Sequence, residues 1–318
     1  MPAASDIELR ELTIEEGAGY FRGVQGIWGG GLAEDKFVAF QRRLAASPEA
    51  SGRYRMLGLF DRGDGALLSA MKTYQLEGGF TGAPLRILGI GAVFTPPALR
   101  RRGFAALMLR AAMARLAAEG ADAAVLFSDI GDRYYAQLGF HVLQSRECFV
   151  AARDLPRPDR ACRSAGPGDE AAMSRIFEAS RDRSRLSLAR EGWLLRFQLR
   201  RLRELARVRD VGEPEWGLIV DAGRGCAAAM TRLTREGVDV LEAAWDGASA
   251  RDSLLGGLRD LLSRAGRTRL RVWPSGQLRG QFAEVERASA IAMIAPLRAG
   301  VSLPEPGAAA DFSLLDHI

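Results

Sequence analysis

Residues 90–107 read Ile90-Gly91-Ala92-Val93-Phe94-Thr95-Pro96-Pro97-Ala98-Leu99-Arg100-Arg101-Arg102-Gly103-Phe104-Ala105-Ala106-Leu107. An apolar strand runs into a proline-bearing turn, then three arginines, a glycine, and a helix whose first turn is small. The first N–H groups of a helix have no internal partner, and the macrodipole puts partial positive charge there, so this arrangement suits an anion. Gly103 brings no side chain between the main chain and a phosphate, and Ala105 keeps the next turn small. Arginine adds charge-assisted hydrogen bonds, each worth roughly 1.5–3 kcal/mol. No Gly-Lys-Ser or Gly-Lys-Thr follows, and three spaced glycines after a strand are absent, so neither the triphosphate loop nor the dinucleotide fingerprint applies.

Working outward, period-two alternation at Ile7 to Leu12 reads as a strand. Helical stretches fill about Ile14 to Ala46, interrupted by Gly29-Gly30-Gly31. Strands are expected at Met56 to Phe60, Ala66 to Leu76 and Leu85 to Thr95, with turns at Arg62-Gly63-Asp64-Gly65 and near Gly78-Gly79. The helix that opens at Gly103 runs to Glu119 and stops at Gly120. Ala123 to Phe127 is a strand, Arg133 to Leu138 a short helix, and Val142 to Val150 the strand that closes this half. Asp154 to Arg160, rich in proline and charge, reads as a joint. The second half runs through a similar order. Gly168-Asp169 caps a helix reaching Ser180, and a second helix spans Glu191 to Arg207. Strands follow at Trp216 to Val220, Ala227 to Arg232 and Val238 to Ala244. Then come a helix from Ser249 to Ala265, a strand from Leu270 to Trp273, a short helix from Gln277 to Glu284 and a strand from Ala288 to Ala295. Ser302 to Asp311 reads as a linker and Phe312 to Ile318 as a short tail. The expected architecture is mixed α/β, with two related folds in tandem: residues 1–153, residues 161–300, and a linker and tail over 301–318.

Composition narrows the function classes. The 318 residues are 47% hydrophobic and 26% charged, which is globular rather than disordered composition. No apolar run approaches the roughly 18 residues of a membrane span, and the first residues lack a secretory pattern, so a cytoplasmic address and no membrane partner are expected. Cys148, Cys162 and Cys226 are far apart and odd in number, and His141 and His317 are the only histidines. No disulfide framework, metal site or serine–histidine–aspartate triad is expected. The net charge is +5, and Lys36 and Lys72 are the only lysines among 44 basic residues, which leaves 42 arginines. Arg181 to Asp210 alone holds 10 arginines against 4 acids. A solvated amphipathic helix explains this segment, with Leu194, Phe197, Leu202 and Leu205 on its apolar side. Nucleic-acid binding by the same arginines is the rival reading.

A second element lies some distance on: Leu126-Phe127-Ser128-Asp129-Ile130-Gly131-Asp132-Arg133-Tyr134-Tyr135-Ala136-Gln137-Leu138-Gly139-Phe140. Together the two stretches resemble the Gcn5-related N-acetyltransferase (GNAT) superfamily. Its signature of Arg or Gln, two residues, Gly, one residue, and Gly or Ala is met by Arg100, Gly103 and Ala105. Its aromatic–Tyr, three residues, Gly–Phe pattern is met by Tyr134-Tyr135 and Gly139-Phe140. The resemblance covers residues 7 to 150. It implies acetyl-CoA as cosubstrate and an amine as acceptor. The main chain of Val93, Phe94 and Thr95 would bind the pantetheine arm. Main-chain N–H groups from Arg101 through Arg102, Gly103 and Phe104 to Ala105, helped by Arg100, would cradle the diphosphate. Tyr135 would protonate the leaving thiolate. Residues Ile87 to Thr95 hold no acid to serve as base, and Glu77 beyond the preceding strand is the nearest.

The order from Thr95 to Gly103 is also similar to the enhanced intracellular survival type of aminoglycoside acetyltransferase. That group has a GNAT domain, a degenerate second one and a sterol-carrier-like third, and its C-terminal carboxylate reaches the active site. This chain is too short for the full third domain, yet its tail suggests the same place for Ile318 as base or proton relay. In the second half, Asp246-Gly247-Ala248-Ser249-Ala250-Arg251-Asp252 stands where the signature would be, with acids in place of cations. That half is expected not to bind CoA and to wall the acceptor pocket. The expected function is acetyl-CoA-dependent N-acetyl transfer. A noncatalytic acyl-CoA-binding or regulatory module is the alternative, a homo-oligomer is possible, and no specific nucleic-acid partner is expected.

Overall fold

The computed structural model describes residues 6–157, 162–190, 192–209, 217–221 and 226–317. The strands are β1 (Ile7–Glu11), β2 (Tyr54–Asp61), β3 (Leu67–Phe80), β4 (Ala83–Phe94), β5 (Ala123–Ser128), β6 (His141–Val142), β7 (Arg146–Ala151), β8 (Arg163–Ser164), β9 (Ser187–Leu188), β10 (Gly217–Asp221), β11 (Cys226–Leu233), β12 (Val238–Trp245), β13 (Arg269–Val272), β14 (Val285–Glu286) and β15 (Ile291–Pro296). The helices are α1 (Ile14–Trp28), α2 (Glu34–Ala45), α3 (Phe104–Ala118), α4 (Arg133–Ala136), α5 (Glu170–Ala179), α6 (Trp193–Arg209) and α7 (Ala248–Arg264).

Two mixed sheets result. The first has the order β1-β2-β3-β4-β5-β15-β6, with β9 added on β3; the second runs β14-β7-β13-β12-β11-β10-β8. Each contains one parallel neighbour pair, β4 with β5 and β12 with β13. Local chemistry sets the helices. At α1 the Thr13 hydroxyl accepts from the Glu16 N–H while the Glu16 carboxylate accepts from the Thr13 N–H at 2.7 Å, a reciprocal cap. Arg10, hydrogen-bonded to Glu16, holds that carboxyl down at about 2. In α3, Phe104, Met108, Leu109, Ala112 and Leu116 fall on one face and are buried. Gly120, at φ 97°, takes the left-handed turn that ends it.

Helices cover both faces of the first sheet. Tyr20, Phe21 and Val24 of α1, Phe37 and Phe40 of α2, and Leu194 and Phe197 of α6 pack on one side. Phe104, Met108 and Leu109 of α3 and Tyr135 of α4 pack on the other. The second sheet buries Leu254, Leu258 and Leu261 of α7 on one face. Met173 and Phe177 of α5, Leu195 and Leu199 of α6, and Leu314 and Leu315 of the tail lie on the other. Helix α6 is therefore buried on two sides, toward both sheets, rather than solvated along one face as its arginine content suggests.

Several elements differ from the sequence reading. The expected strand from Val142 to Val150 is two strands in two sheets. β6 pairs with β15, while β7 pairs with β13 and β14. The crossing is pinned at Leu143 and Ser145: the Leu143 N–H donates to the Ala292 carbonyl at 2.8 Å, and the Ala292 N–H donates to Ser145 Oγ at 2.9 Å. β15, near the end of the chain, lies between β5 and β6 in the first sheet. A boundary at the Pro-rich joint thus separates β7 from the second sheet, to which it belongs, and β15 from the first sheet, which it completes. The turn placed near Gly78-Gly79 sits at Thr81 and Gly82 (φ 49° and 82°); Gly78 and Gly79 stay in β3 and pair with β9. The short helix at Gln277 is only a 3-10 turn, Gly276–Leu278. Trp216 and Ile318 lie outside the described residues. The span from Ser302 to Asp311 is no loose linker: Ala309 bridges to Gln144 and Asp311 to Ser187.

Candidate active site

The site begins where two parallel strands part. β4 and β5 are paired from Ile87–Ala123 to Ile90–Leu126, and beyond Ile90 no residue of β4 has a partner on β5. The split coincides with an irregularity on the other edge, where the β3–β4 register shifts between Ala70 and Lys72. Ala92 takes φ 48°, a left-handed conformation uncommon for a residue with a Cβ. It is held there by Tyr20, whose hydroxyl donates to the Ala92 carbonyl at 2.5 Å. Ser69 Oγ donates to the Phe94 carbonyl at 2.8 Å and lies 3.0 Å from Thr95 Oγ1. Of the three residues expected along the pantetheine arm, Phe94 thus has its carbonyl engaged toward β3, while Val93 belongs to the unpaired stretch of β4.

The chain then turns through Pro97–Leu99, a 3-10 turn, into the arginines. Arg100 Nε donates to the Thr95 carbonyl at 3.1 Å and closes the loop on itself. Arg101 is left-handed at φ 62°, and Gly103, at φ 82°, is the residue that caps α3. No side chain caps this helix end. The Phe104, Ala105 and Ala106 N–H groups precede the first intrahelical bond, from the Leu107 N–H to the Gly103 carbonyl at 3.0 Å. Arg100, Arg101 and Arg102 are exposed, and no carboxylate pairs with them among the described residues. Phe104 offers this seat only its main chain, because its ring is buried beneath α3.

Tyr135 lies on α4 in the same cluster as Phe104, Met108 and Leu126. Its ring sits 5.1 Å from that of Tyr134 and 6.1 Å from that of Phe140. Burial, with smaller contributions from Tyr134 and Asp129, pushes its phenol up to about 12. The hydroxyl is therefore a proton donor at neutral pH.

The tail meets the other face of β5. Phe127 follows Leu126, the last residue of β5 paired to β4. Its ring lies 5.5 Å from Phe312 and 5.6 Å from His317, and His317 in turn lies 5.4 Å from Trp273. Gln198 of α6 donates to the Leu315 carbonyl at 2.7 Å. A buried ion knot secures the turn. Arg190 Nη1 and Nη2 donate to the two Asp316 oxygens at 2.8 Å each, its Nε donates to Glu242 at 2.5 Å, and Ser313 Oγ donates to Glu242 at 2.9 Å. Burial, reinforced by four arginines, pushes the His317 imidazole down to about 3, so it is neutral. The tail is thus docked beside the split. Ile318, the position expected to carry the carboxylate, falls outside the described residues.

Two cations, Lys72 near the split and Arg201 on the helix packed over that side of the sheet, escaped the sequence reading. Lys72 on β3 stands opposite Gly91 and donates to Gln41 Oε1 at 2.8 Å. Arg201 stands one turn beyond Phe197 on α6. The available signal was Lys72 itself, one of two lysines in an arginine-rich chain. Glu77, the nearest acid to the cofactor strand in sequence, is paired with Arg53 at 2.8 Å on the surface.

The second sheet has the same split, between β12 and β13 beyond Val240–Val272. There the gap is closed from within. Gln277 Oε1 accepts from the Trp245 N–H at 2.8 Å, and its Nε2 donates to the Trp245 carbonyl at 2.9 Å. Among the described residues no group of His, Cys, Asp and Glu is arranged to hold a metal, and no helix is long and apolar enough to cross a membrane.

Residues 8–143 match the sequence family described as the acetyltransferase (GNAT) domain. No curated protein matches the chain by sequence. A GCN5-related N-acetyltransferase from Kribbella flavida superposes with a TM-score of 0.63 at 18% identity, covering 91% of this chain and 70% of that one. A GCN5-related N-acetyltransferase from Anabaena variabilis gives 0.67 at 10% identity, covering 92% and 73%. Eis1 from Mycobacterium abscessus gives 0.55 at 18%, also covering 92% and 73%. At these identities the likeness is one of fold, and it extends through both sheets. With its split parallel strands, arginine turn and glycine-capped helix, the region from residue 8 to residue 143 is the part of the chain that matches the GNAT acetyltransferase domain.

Proposed function

We propose that the chain is an acetyl-CoA-dependent N-acetyltransferase whose first sheet binds the cosubstrate and carries the chemistry. One observation carries this reading: the strand split at Gly91 leads within one turn to an uncapped helix N-terminus flanked by three arginines without carboxylate partners. Those residues fit a diphosphate, since main-chain N–H groups and guanidinium groups converge where Gly103 leaves room. The unpaired edge of β4 around Val93 fits the amide groups of a pantetheine arm by adding hydrogen bonds in the manner of a missing strand. Bound acetyl-CoA would supply the activated acyl group, with the C–N bond to the acceptor forming as the C–S bond breaks.

The chain's own part is positional and acid–base. Tyr135, protonated well beyond neutral pH, gives its proton to the sulfur that leaves. The proton lost by the amine is assigned to the carboxylate of Ile318, the role that the resemblance implies for it. The second split, filled by Gln277 and followed by Asp246 and Asp252 rather than arginines, supports a structural role for the second sheet.

Isothermal titration with CoA and thiol release from acetyl-CoA over a panel of amines test this together. Gly103→Trp forces a bulky side chain into a left-handed position on the seat and is expected to abolish CoA binding while the fold persists. Undiminished binding would refute the seat. CoA binding without thiol release from any amine would make the chain an acyl-CoA-binding module, the reading favoured by the lack of an acid from Ile87 to Thr95. For the arginine-rich helix, Arg200 and Arg207 pair with Glu204 and Arg203 pairs with Glu170. These pairings support a packing role over nucleic-acid binding.

A further inference from the structure

The surface across the split from α3 has an unusual charge balance. Lys72 and Tyr74 stand two residues apart on β3 and so share one face of the strand. Lys72 is half-buried, its Nζ 5.6 Å from the centre of the Phe21 ring, and among the described residues its only hydrogen bond is to the neutral amide of Gln41. The Tyr74 ring lies 5.2 Å from Tyr54 and 6.1 Å from Phe197. Arg201, four residues past Phe197, lies on the same side of α6. Its Nη1 donates to Gln198 Oε1 at 3.4 Å. Among the described residues no carboxylate pairs with Lys72 or Arg201. By contrast Arg200, Arg203 and Arg207 on the same helix all have carboxylate partners. Burial first and Arg201 second push the Lys72 ammonium down to about 7, while burial and Arg232 lower Arg201 against the pull of Tyr74 and Tyr54.

A cavity of about 1150 Å³ lies beside Leu202 and Leu205 of α6, and its cationic wall includes Lys36, Arg209, Arg235 and Arg267, together with Arg232, which pairs with Asp239 at 2.5 Å. No acid lines it among the described residues. Two neighbouring cations held without counter-charge destabilise a fold unless something offsets them. A polycationic acceptor would meet like charge along this whole side.

We infer that the acceptor carries an anionic group, a carboxylate or a phosphate, that lies between Lys72 Nζ and the Arg201 guanidinium while its amine faces the split. This rests on the acetyl-transfer reading, and its test separates the two. Because the chain has only two lysines, acylation by dilute acetic anhydride, followed by peptide mass spectrometry, reports Lys72 and Lys36 separately. Inorganic phosphate or acetate is expected to slow labelling of Lys72. The stronger protector identifies the kind of anion. Arg201→Met is expected to remove the protection and Arg201→Lys to keep it. Equal labelling with and without both anions overturns the inference, whether or not any turnover is found.

The second arm is thiol release with paired acceptors: an α-amino acid against its amide, and 2-aminoethyl phosphate against ethanolamine, with spermidine as the cationic extreme. The anionic member of at least one pair is expected to be favoured at least about tenfold in kcat/KM, the scale of one charge-assisted hydrogen bond. Lys72→Met is expected to erase that preference with CoA affinity unchanged. Preference for spermidine or the neutral members overturns the inference and leaves acetyl transfer standing. Anion protection without turnover of any amine refutes acetyl transfer and leaves the anion site standing.

Discussion

Arg190→Met tests how the tail is held. Arg190, Glu242 and Asp316 are 2%, 4% and 0% exposed. The guanidinium supplies both Asp316 oxygens and one Glu242 oxygen, and also donates to the Leu188 carbonyl at 2.9 Å. Burial raises the Glu242 and Asp316 carboxyls against the pull of Arg190, so these acids depend on the cation to remain ionised. Removing it leaves two carboxyl groups without water or counter-charge. Breaking a buried pair in this way costs about 3–5 kcal/mol. For a chain of this size that corresponds to a fall in Tm of about 4–8 °C. Urea titration and calorimetry measure the loss, and hydrogen exchange over residues 311–317 shows whether it starts at the tail. The triple variant Arg190→Met, Glu242→Met, Asp316→Leu replaces the ions with apolar volume and is expected to recover most of the loss, because the desolvation of the charges disappears with them. A single variant within about 1 kcal/mol of the parent would refute the reasoning. A triple variant as unstable as the single would assign the loss to packing rather than charge.

The remaining predictions concern the reaction and its pH dependence. Tyr135→Phe is expected to lower kcat by roughly 10²–10⁴-fold with CoA affinity unchanged, and undiminished turnover would remove it from the mechanism. Since its phenol lies at about 12, no alkaline fall in kcat below pH 10 should trace to it, which a pH–rate profile of the two proteins checks. His317 is neutral when folded and protonates near 6.5 when unfolded. The unfolded state therefore binds the extra proton below pH 6.5, and stability falls as pH drops toward the folded value of about 3. Between pH 7 and pH 5 this contributes about 2 kcal/mol, and His317→Gln should lose that much less in matched denaturation curves. Removal of Ile318 alone, which spares the Asp316 pair with Arg190, is expected to cut turnover sharply while leaving Tm unchanged; full activity would dispose of its role.

The strand split and the helix end at Gly103 were legible because each part is written in adjacent residues. A strand, a proline turn, Arg100, Gly103 and Ala105 specify a helix end that any reader of local chemistry recognises. The acceptor side was not, since Lys72 and Arg201 are 129 positions apart in the numbering and meet only through the packing of α6 on the first sheet. Gly78 and Gly79 looked like a turn, yet they are the thin stretch of β3 that admits β9. A side chain at Gly78 would run into the Ser187 carbonyl. Leu143-Gln144-Ser145 gave no glycine or proline to mark where the chain leaves one sheet for the other. That crossing is fixed by hydrogen bonds to Ala292 and Arg287, which no local pattern records. The Gln277 plug was equally hidden, because a glutamine in a polar stretch reads as surface until its two bonds to Trp245 are seen.

The exchange of β7 and β15 binds the two halves in time as well as in space. During synthesis the first sheet cannot be completed until residue 296 has left the ribosome, because the slot between β5 and β6 belongs to β15. Until then the edges of β5 and β6 stand open, each an invitation to the wrong strand. Pairing so distant in sequence makes for slow folding. A fragment ending near residue 153 would keep the helix end at Gly103 and yet lack the strand that joins β6 to β5, so cutting the molecule at its most obvious joint yields two incomplete sheets.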